Sequence, residues 1–222
     1  MRVVSGKMGQ ETIHYEALPF DQVEAEMGLF LKWWKDSTGV IDGIIRAAVA
    51  HFWFITIHPF EDGNGRIARA LTDMALAQDD RQSLRYYSLS SQINTERESY
   101  YMILEQSQKG EVDITAWLLW FLGCFSRGIE TSEKLMALVL AKAAFWYRHS
   151  QTQLTDRQRK VINKLLDAGE GNFAGGLTNR KYASLVKVSR ATATRELQYL
   201  LDIGVLKRNS GKGRSASYDL VW

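Results

Sequence analysis

The sequence predicts a mainly α-helical protein that carries a short β-hairpin near its start and a small basic module at its end. Only two Pro residues occur among 222, which favours long uninterrupted helices. Apolar residues recur at helical spacing over most of the chain, and beyond Gln151 the pattern changes to short helices followed by strands. We therefore predict two domains, residues 1–150 and 151–222.

The first domain is expected to open with a hairpin over about residues 3–16, because Gly6 and Gly9 lie between two short strand-like segments. Asp21 is expected to cap the first helix. Residues 41–57 are apolar enough to form a central helix that is buried on most sides. Further helices are predicted at 66–78, 93–108, 114–129 and 132–150.

The second domain has the element order of a winged helix, with three helices followed by two strands. The helices are predicted at 155–168, 178–186 and 189–201, and the strands at 204–206 and 217–221. This domain carries 13 Lys or Arg against 6 Asp or Glu, a net charge of +7, whereas residues 1–150 carry 15 against 19, a net charge of −4. Basic residues on the third helix and the wing are predicted to contact DNA: Arg190, Arg195, Lys212 and Arg214. A role in docking protein stays open for this domain.

The single cysteine, Cys124, lies in an apolar run, so an internal disulfide is impossible and a buried thiol is expected. This favours a reducing compartment, the cytoplasm. No apolar stretch is long enough to span a membrane, and residues 1–10 lack the apolar core of a signal peptide. No membrane partner is expected.

A dense group of polar residues runs from His58 to Arg69, with the sequence HPFEDGNGRIAR. Pro59 disfavours a helical conformation at His58, so the central helix should end there and leave His58 at the mouth of a loop. Gly63 and Gly65 let the backbone turn tightly and expose its N–H groups, and a helix begins at the same point. The segment therefore predicts an anion site beside a histidine.

The charged side chains of the segment suit a nucleotide. Arg66 and Arg69 lie on one face of the helix, where two guanidinium groups hold one polyphosphate. Asp62 is a hard oxygen ligand suited to a Mg²⁺ ion that bridges phosphates. His58 is the side chain best suited to accept a proton at neutral pH. Together these residues predict a site for group transfer.

Two other interpretations of the segment are weaker. Residues 63–68 match the dinucleotide pattern G-x-G-x-x-A, but no alternation of strand, helix and strand follows. Arg69 taken alone is compatible with a surface ion pair to Asp73, four residues later. Neither interpretation accounts for the whole set of residues.

The segment resembles the Fic family motif H-x-F-x-(D/E)-G-N-G-R-x-x-R at every defined position. The resemblance extends over about residues 1–130. It implies an all-helical core with a β-hairpin flap, and transfer of AMP from ATP to a Ser, Thr or Tyr hydroxyl of a target protein, which includes the chain itself as a possible target. The cofactor implied is Mg²⁺, with ATP as co-substrate.

The resemblance also implies a role for each motif residue. His58 would be the general base, Asp62 the Mg²⁺ ligand, and Phe60 the anchor of the loop in the core. The remaining motif residues would bind ATP: Gly63, Asn64 and Gly65 at the α- and β-phosphates, and Arg66 and Arg69 at the outer phosphates.

Two regions outside the motif fit the same resemblance. The hairpin stands where the family has a flap that aligns the target, with Gly6, Lys7, Met8 and Gly9 at its turn. Residues 100–110 resemble the family's nucleoside-side helix, where Tyr100 or Tyr101 would pack on adenine and Gln108 would contribute to the ATP site. A core role for the Tyr pair is equally open.

Comparison of the sequence with the family's patterns bears on how the chain is regulated and on which other activities it could have. The inhibitory pattern (S/T)-x-x-x-E-(G/N) of many family members has no match here, so we expect any inhibitory helix to come from a missing N-terminal segment. A phosphotransferase of the related toxin type is disfavoured by Gly65, where that subgroup has Lys. A nucleotide-sensing DNA-binding regulator is disfavoured by the intact His58 and Asp62 but stays an alternative.

Overall fold

In the computed structural model, the described residues are 2–5, 12–16, 18–80, 85–110, 112–210 and 216–222, with backbone alone for 2–5, 12–16 and 80. The fold is mainly helical, as predicted. The chain forms two compact units, Met1–Glu133 and Lys134–Trp222. The division is earlier than the boundary after residue 150 that the sequence suggested, because Phe145, on the same helix as Glu133, belongs to the core of the second unit.

The first unit begins with the expected hairpin. Strand β1 (Arg2–Ser5) pairs antiparallel with β2 (Thr12–Glu16), with Arg2 opposite Glu16. The helices that follow are α1 (Phe20–Asp36), α2 (Gly43–Ile57), α3 (Asn64–Asp80), α4 (Leu89–Thr95), α5 (Arg97–Lys109) and α6 (Thr115–Arg148), the last of which continues into the second unit.

Helix α2 forms the centre of the first unit, as its apolar sequence predicts. Its N-terminus is capped by Asp42, whose carboxylate accepts hydrogen bonds from the backbone N–H groups of Ile44 and Ile45. Nine of its residues are buried, so α2 contributes to the core on most of its faces. The end of this helix carries His58, and its rigidity fixes the start of the motif loop.

Three local predictions for the first unit are wrong. Asp21 is not the cap of α1, because Pro19 occupies that position and Asp21 lies in the first turn. The helix predicted at 93–108 is two helices, α4 and α5, separated at Glu96. The two helices predicted at 114–129 and 132–150 are one continuous helix of 34 residues, since Ser and Glu near residue 132 are tolerated in a helix interior.

The second unit has three helices and two strands in the expected order. They are α7 (Asp156–Ala168), α8 (Asn179–Val186), α9 (Arg190–Asp202), β3 (Leu206–Arg208) and β4 (Tyr218–Leu220), with β3 antiparallel to β4. A capping box starts α7, in which Thr155 and Gln158 bond reciprocally, and Thr178 and Ser189 cap α8 and α9. The core of this unit is separate and includes Phe145.

Two further sequence predictions concern single features. Cys124 is fully buried, as expected, and burial raises the pKa of its thiol to about 12. Among the described residues, no helix is both long enough and apolar enough to cross a membrane.

Candidate active site

His58 lies at the C-terminal end of α2, in a left-handed backbone conformation with φ 52° and ψ 56°. Its backbone N–H donates to the Phe54 carbonyl, and Pro59 after it prevents the helix from continuing. A non-glycine residue in this conformation is uncommon and is held there by the surrounding contacts. The turn therefore fixes the His58 side chain at the entrance of the loop.

The His58 ring is oriented by one hydrogen bond, between Nδ1 and the Ile55 carbonyl at 3.3 Å. A carbonyl oxygen only accepts, so Nδ1 carries the proton and Nε2 is the basic nitrogen. Nε2 has no hydrogen-bond partner among the described residues. Partial burial lowers the pKa of His58, which the bond to Ile55 opposes. The ring is thus a neutral base at pH 7 with Nε2 available.

Asn64 holds the loop that follows His58. Its Oδ1 accepts from the Phe60 N–H at 3.1 Å, and its Nδ2 donates to the Phe60 carbonyl at 2.6 Å. The Asn64 side chain is buried, with 2% of the residue exposed. Asn64 therefore shapes the loop through its side chain, whereas the resemblance implied that it contributes to the phosphate cradle.

Phe60 does not anchor the loop in the core, which corrects the role that the resemblance implied. Its side chain is about half exposed, although its ring lies 6.4 Å from that of Phe54 between centroids. The pair of hydrogen bonds from Asn64 to the Phe60 backbone supplies the anchoring instead.

The two motif arginines lie over the loop backbone. A Cβ placed on Gly63 would come within 3.5 Å of the Arg66 guanidinium, and one on Gly65 within 3.5 Å of the Arg69 guanidinium. Gly63 has a φ of +86°, which favours glycine there. Helix α3 begins at Asn64, and the N–H groups of Arg66 and Ile67 donate to the Gly63 carbonyl. Among the described residues, the N–H groups of Asn64 and Gly65 are therefore the donors at this helix start without a backbone acceptor. The arrangement is an anion site.

Asp62 and Arg66 form an ion pair of 2.9 Å, and both side chains are largely exposed. Such surface pairs contribute about 0–1 kcal/mol, so a ligand separates them at little cost. Arg69 makes no ion pair among the described residues. The alternative partner Asp73 is instead 3.5 Å from Arg85, so the surface pair between Arg69 and Asp73 is absent.

The donor set at Asp62 fits Mg²⁺. Its carboxylate is 91% exposed beside the anion site, and the described residues hold no group of three or more potential metal ligands. Mg²⁺ usually binds through one or two carboxylates and the phosphates of a nucleotide, and keeps several waters. A single exposed carboxylate beside an anion site matches that preference.

A buried hydrogen-bond network lies beneath the site and was not expected from the sequence. His51 Nδ1 is 2.9 Å from Thr72 Oγ1, and His51 Nε2 is 3.0 Å from the Tyr100 hydroxyl. Since Thr72 already donates to the Ala68 carbonyl, it accepts from His51, and His51 in turn accepts from Tyr100. Burial lowers the pKa of His51 to about 3, and the charge of Arg69 adds to the shift. His51 is thus neutral and joins α2, α3 and α5.

This network shows which of the two tyrosines is available to pack on adenine. Tyr100 is 5% exposed and engaged with His51, so it is a core residue and cannot stack on adenine. Tyr101 is 49% exposed, and the Arg97 guanidinium lies over its ring at 5.6 Å. Gln108 Nε2 donates to Thr56 Oγ1 at 3.1 Å, which places this side chain beside the end of α2. Tyr101 and Gln108 remain candidates for the ATP site.

The other predicted site residues lie elsewhere. The flap residues Gly6, Lys7, Met8 and Gly9 are outside the described residues, as are Lys212 and Arg214. Arg190 lines a groove of the second unit, whereas Arg195 lines a different one.

Comparisons with known proteins agree with the motif. Residues 3–76 match the model of the Fic/DOC family. The chain is 51% identical over 45 residues to protein adenylyltransferase fic-1 of Caenorhabditis elegans, covering 20% of this chain and 9% of the relative. It is 33% identical over 119 residues to protein adenylyltransferase Fic of Nematostella vectensis, covering 53% of this chain and 26% of the relative. The chain thus spans about a quarter or less of these relatives.

A solved structure is also similar. A Fic family protein from Desulfovibrio desulfuricans G20 aligns with a TM-score of 0.49 and 22% identity, over 96% of this chain and 59% of that one. The similarity to the Fic/DOC family thus covers residues 3–76, about a third of the chain, and the similarity to the two adenylyltransferases covers up to about half of it.

Proposed function

We propose that this chain transfers AMP from ATP to a Ser, Thr or Tyr hydroxyl of a target protein, with His58 as the general base. The observation that carries the proposal is the state of His58. Its Nδ1–H is held by the Ile55 carbonyl, its Nε2 has no hydrogen-bond partner among the described residues, and the loop that it begins leads to the glycines and arginines of the anion site. The names of the two relatives, both protein adenylyltransferases, support an enzyme of this type.

In the proposed reaction the target hydroxyl oxygen attacks the α-phosphorus of ATP. His58 Nε2 accepts the hydroxyl proton, the bond between the α-phosphorus and the bridging oxygen breaks, and pyrophosphate leaves. Because burial lowers the pKa of His58, its imidazole is in the neutral form that this step needs. Nδ1–H keeps its bond to Ile55, which stabilises the imidazolium that forms.

The anion site would hold the triphosphate. The N–H groups of Asn64 and Gly65 at the start of α3 would bind phosphate oxygens. Arg66 and Arg69 would hold the outer phosphates, where negative charge increases as pyrophosphate leaves. Asp62 would release Arg66 and bind Mg²⁺ instead. The bound ion would offset the negative charge of the phosphates. Tyr101 and Gln108 are the candidates for contacts to the nucleoside.

The transferred group distinguishes this proposal from the alternatives. The purified chain, with candidate target proteins from a lysate, is incubated in parallel with ATP labelled at the α- or at the γ-phosphate. We expect protein-bound label from the α-phosphate alone. Label from the γ-phosphate would indicate a phosphotransferase, and no label despite measured ATP binding would indicate a nucleotide sensor; each result would refute AMP transfer.

A further inference from the structure

A groove of about 510 Å³ lies within the second unit, between α8, α9 and the β3–β4 ribbon. Among the described residues, those that line it include three arginines and no acidic residue. The polar and charged side chains that line it are Thr178, Asn179, Arg180, Arg190, Thr194, Gln198, Arg208 and Tyr218. The groove therefore concentrates positive charge together with neutral hydrogen-bonding groups.

The groove is built on a fixed frame. Asn179 Nδ2, at the start of α8, donates to the Arg190 carbonyl at 3.1 Å and to Thr194 Oγ1 at 2.7 Å, which ties α8 to the first turns of α9. On the opposite side, Arg208 of β3 pairs in register with Tyr218 of β4. The three arginines thus come from three different elements that are held in place by hydrogen bonds.

The guanidinium groups of the groove are not neutralised. Among the described residues, no carboxylate forms an ion pair with Arg180, Arg190 or Arg208. Asp202 and Asp219 instead accept hydrogen bonds from the amides of Gln198 and Asn209. A polyanion is the ligand that three unpaired arginines in one groove suit best.

Helix α9 presents a face that suits the edges of bases. Ala191, Thr194 and Gln198 are exposed on one side of it, while Ala193 and Leu200 on the other side are buried in the core. The helix has 13 residues, so it is about 20 Å long, and a helix of this kind fits the major groove of DNA, which is about 12 Å wide. Gln198 Nε2 donates one N–H to Asp202, and its second N–H together with Oε1 forms the donor and acceptor pair that matches an adenine edge.

We propose that this groove binds double-stranded DNA, with Arg180, Arg190 and Arg208 on phosphates and α9 in the major groove. An acidic protein segment would engage the arginines but would not use the exposed face of α9, whose length suits the major groove. Arg195, which the sequence also suggested for DNA, lies on a different surface beside Arg157 and Glu196 and takes no part. The proposal is independent of AMP transfer.

The test measures fluorescence anisotropy of a labelled duplex about three turns long, titrated with the whole chain at about 50 to 200 mM KCl. Each phosphate contact contributes about 0.9 to the slope of log affinity against log salt, so three arginines contribute about 2.7. We expect Arg190→Gln to weaken binding several-fold and to flatten the slope by about 0.9. The combined Arg180, Arg190 and Arg208→Gln variant should flatten it by about 2.7.

Arg195→Gln is the matched control, with the same change on the same helix outside the groove, and it should bind as the unsubstituted chain does. His58→Ala should also bind DNA normally, so failure of AMP transfer and failure of this proposal are distinguishable. Absence of duplex binding at the lowest salt would overturn the proposal, as would equal losses in the Arg190 and Arg195 variants. Self-association that depends on Arg190, without DNA binding, would show a protein-docking groove instead and would also overturn it.

Discussion

Replacement of Asn64 by Ala separates a loop-shaping role from direct binding of phosphate. The change removes the two hydrogen bonds between Asn64 and the Phe60 backbone. Each contributes about 0.5–1.5 kcal/mol net, so the loop should lose about 1–3 kcal/mol of stabilisation. Since about 1.4 kcal/mol is tenfold in an equilibrium constant, the Phe60 amide should exchange with solvent about 5- to 140-fold faster.

The assay is hydrogen exchange of the loop peptide, measured with ATP affinity and the rate of label transfer. We expect faster loop exchange and a reduced rate of transfer. Asn64→Asp, which keeps an acceptor for the Phe60 N–H but lacks the donor, should give a smaller change in exchange. Asn163→Ala, which removes the acceptor of the Trp146 indole in the second unit, controls for the general effect of losing one partly buried amide. Unchanged loop exchange together with weakened ATP binding would refute the loop-shaping role.

Three further predictions concern the base, the network beneath it and the second arginine. Because burial lowers the pKa of His58 below 6.5, the rate of transfer should fall on acidification with a midpoint below pH 6.5; a midpoint above 6.5 in the pH profile would contradict this. Because the pKa of His51 is about 3 in the folded chain, the unfolded chain binds more protons below pH 6.5 and stability falls there. Between pH 7 and 5 the unfolding free energy from urea titration should fall by about 2 kcal/mol more in the unsubstituted chain than in His51→Phe, and equal falls would count against a buried neutral His51. Arg69→Ala should weaken ATP binding about tenfold or more by calorimetry, with Arg148→Ala, an exposed change on α6, as control; equal affinities in the two variants would show that Arg69 does not hold phosphate.

The sequence predicted most helices because their caps and apolar spacing are local features. Asp42, Thr155, Thr178 and Ser189 are residue types that accept hydrogen bonds from the first turn of a helix. The break predicted near residue 131 was wrong because no strong helix breaker stands there, and Ser132 donates instead to the Gly128 carbonyl inside the helix. Helix propensity alone therefore did not determine whether the helix continues through residue 131.

Contacts between distant residues explain what the sequence did not predict at the site. The motif located His58 and the arginines, but not which side chains bind the loop and which face the ligand. Asn64 is adjacent to Phe60 through a turn whose geometry the pattern does not specify. The pairing of His51 with Tyr100 joins residues 49 positions apart. A signal for the network was present, since His51 is a polar residue inside the apolar run of α2, where a buried side chain needs hydrogen-bond partners.

The basic residues of the second unit lie on different surfaces, and the sequence did not predict this distribution either. Arg190 and Arg195 both belong to α9, and a charge count treats them alike. They differ by five helical positions, which directs them to different surfaces, so Arg190 lines one groove and Arg195 the other. Arg180 and Arg208 join Arg190 only through the packing of α8 and the strands against α9.

The central claim is that His58 Nε2 accepts the proton of the target hydroxyl. The most direct measurement compares α-label transfer by the unsubstituted chain and by His58→Ala, at an ATP concentration that saturates both. Removal of a general base typically costs 10²–10⁴-fold, so the account predicts a loss of about that size with ATP affinity unchanged within about twofold. Transfer by His58→Ala at a rate near that of the unsubstituted chain would contradict it.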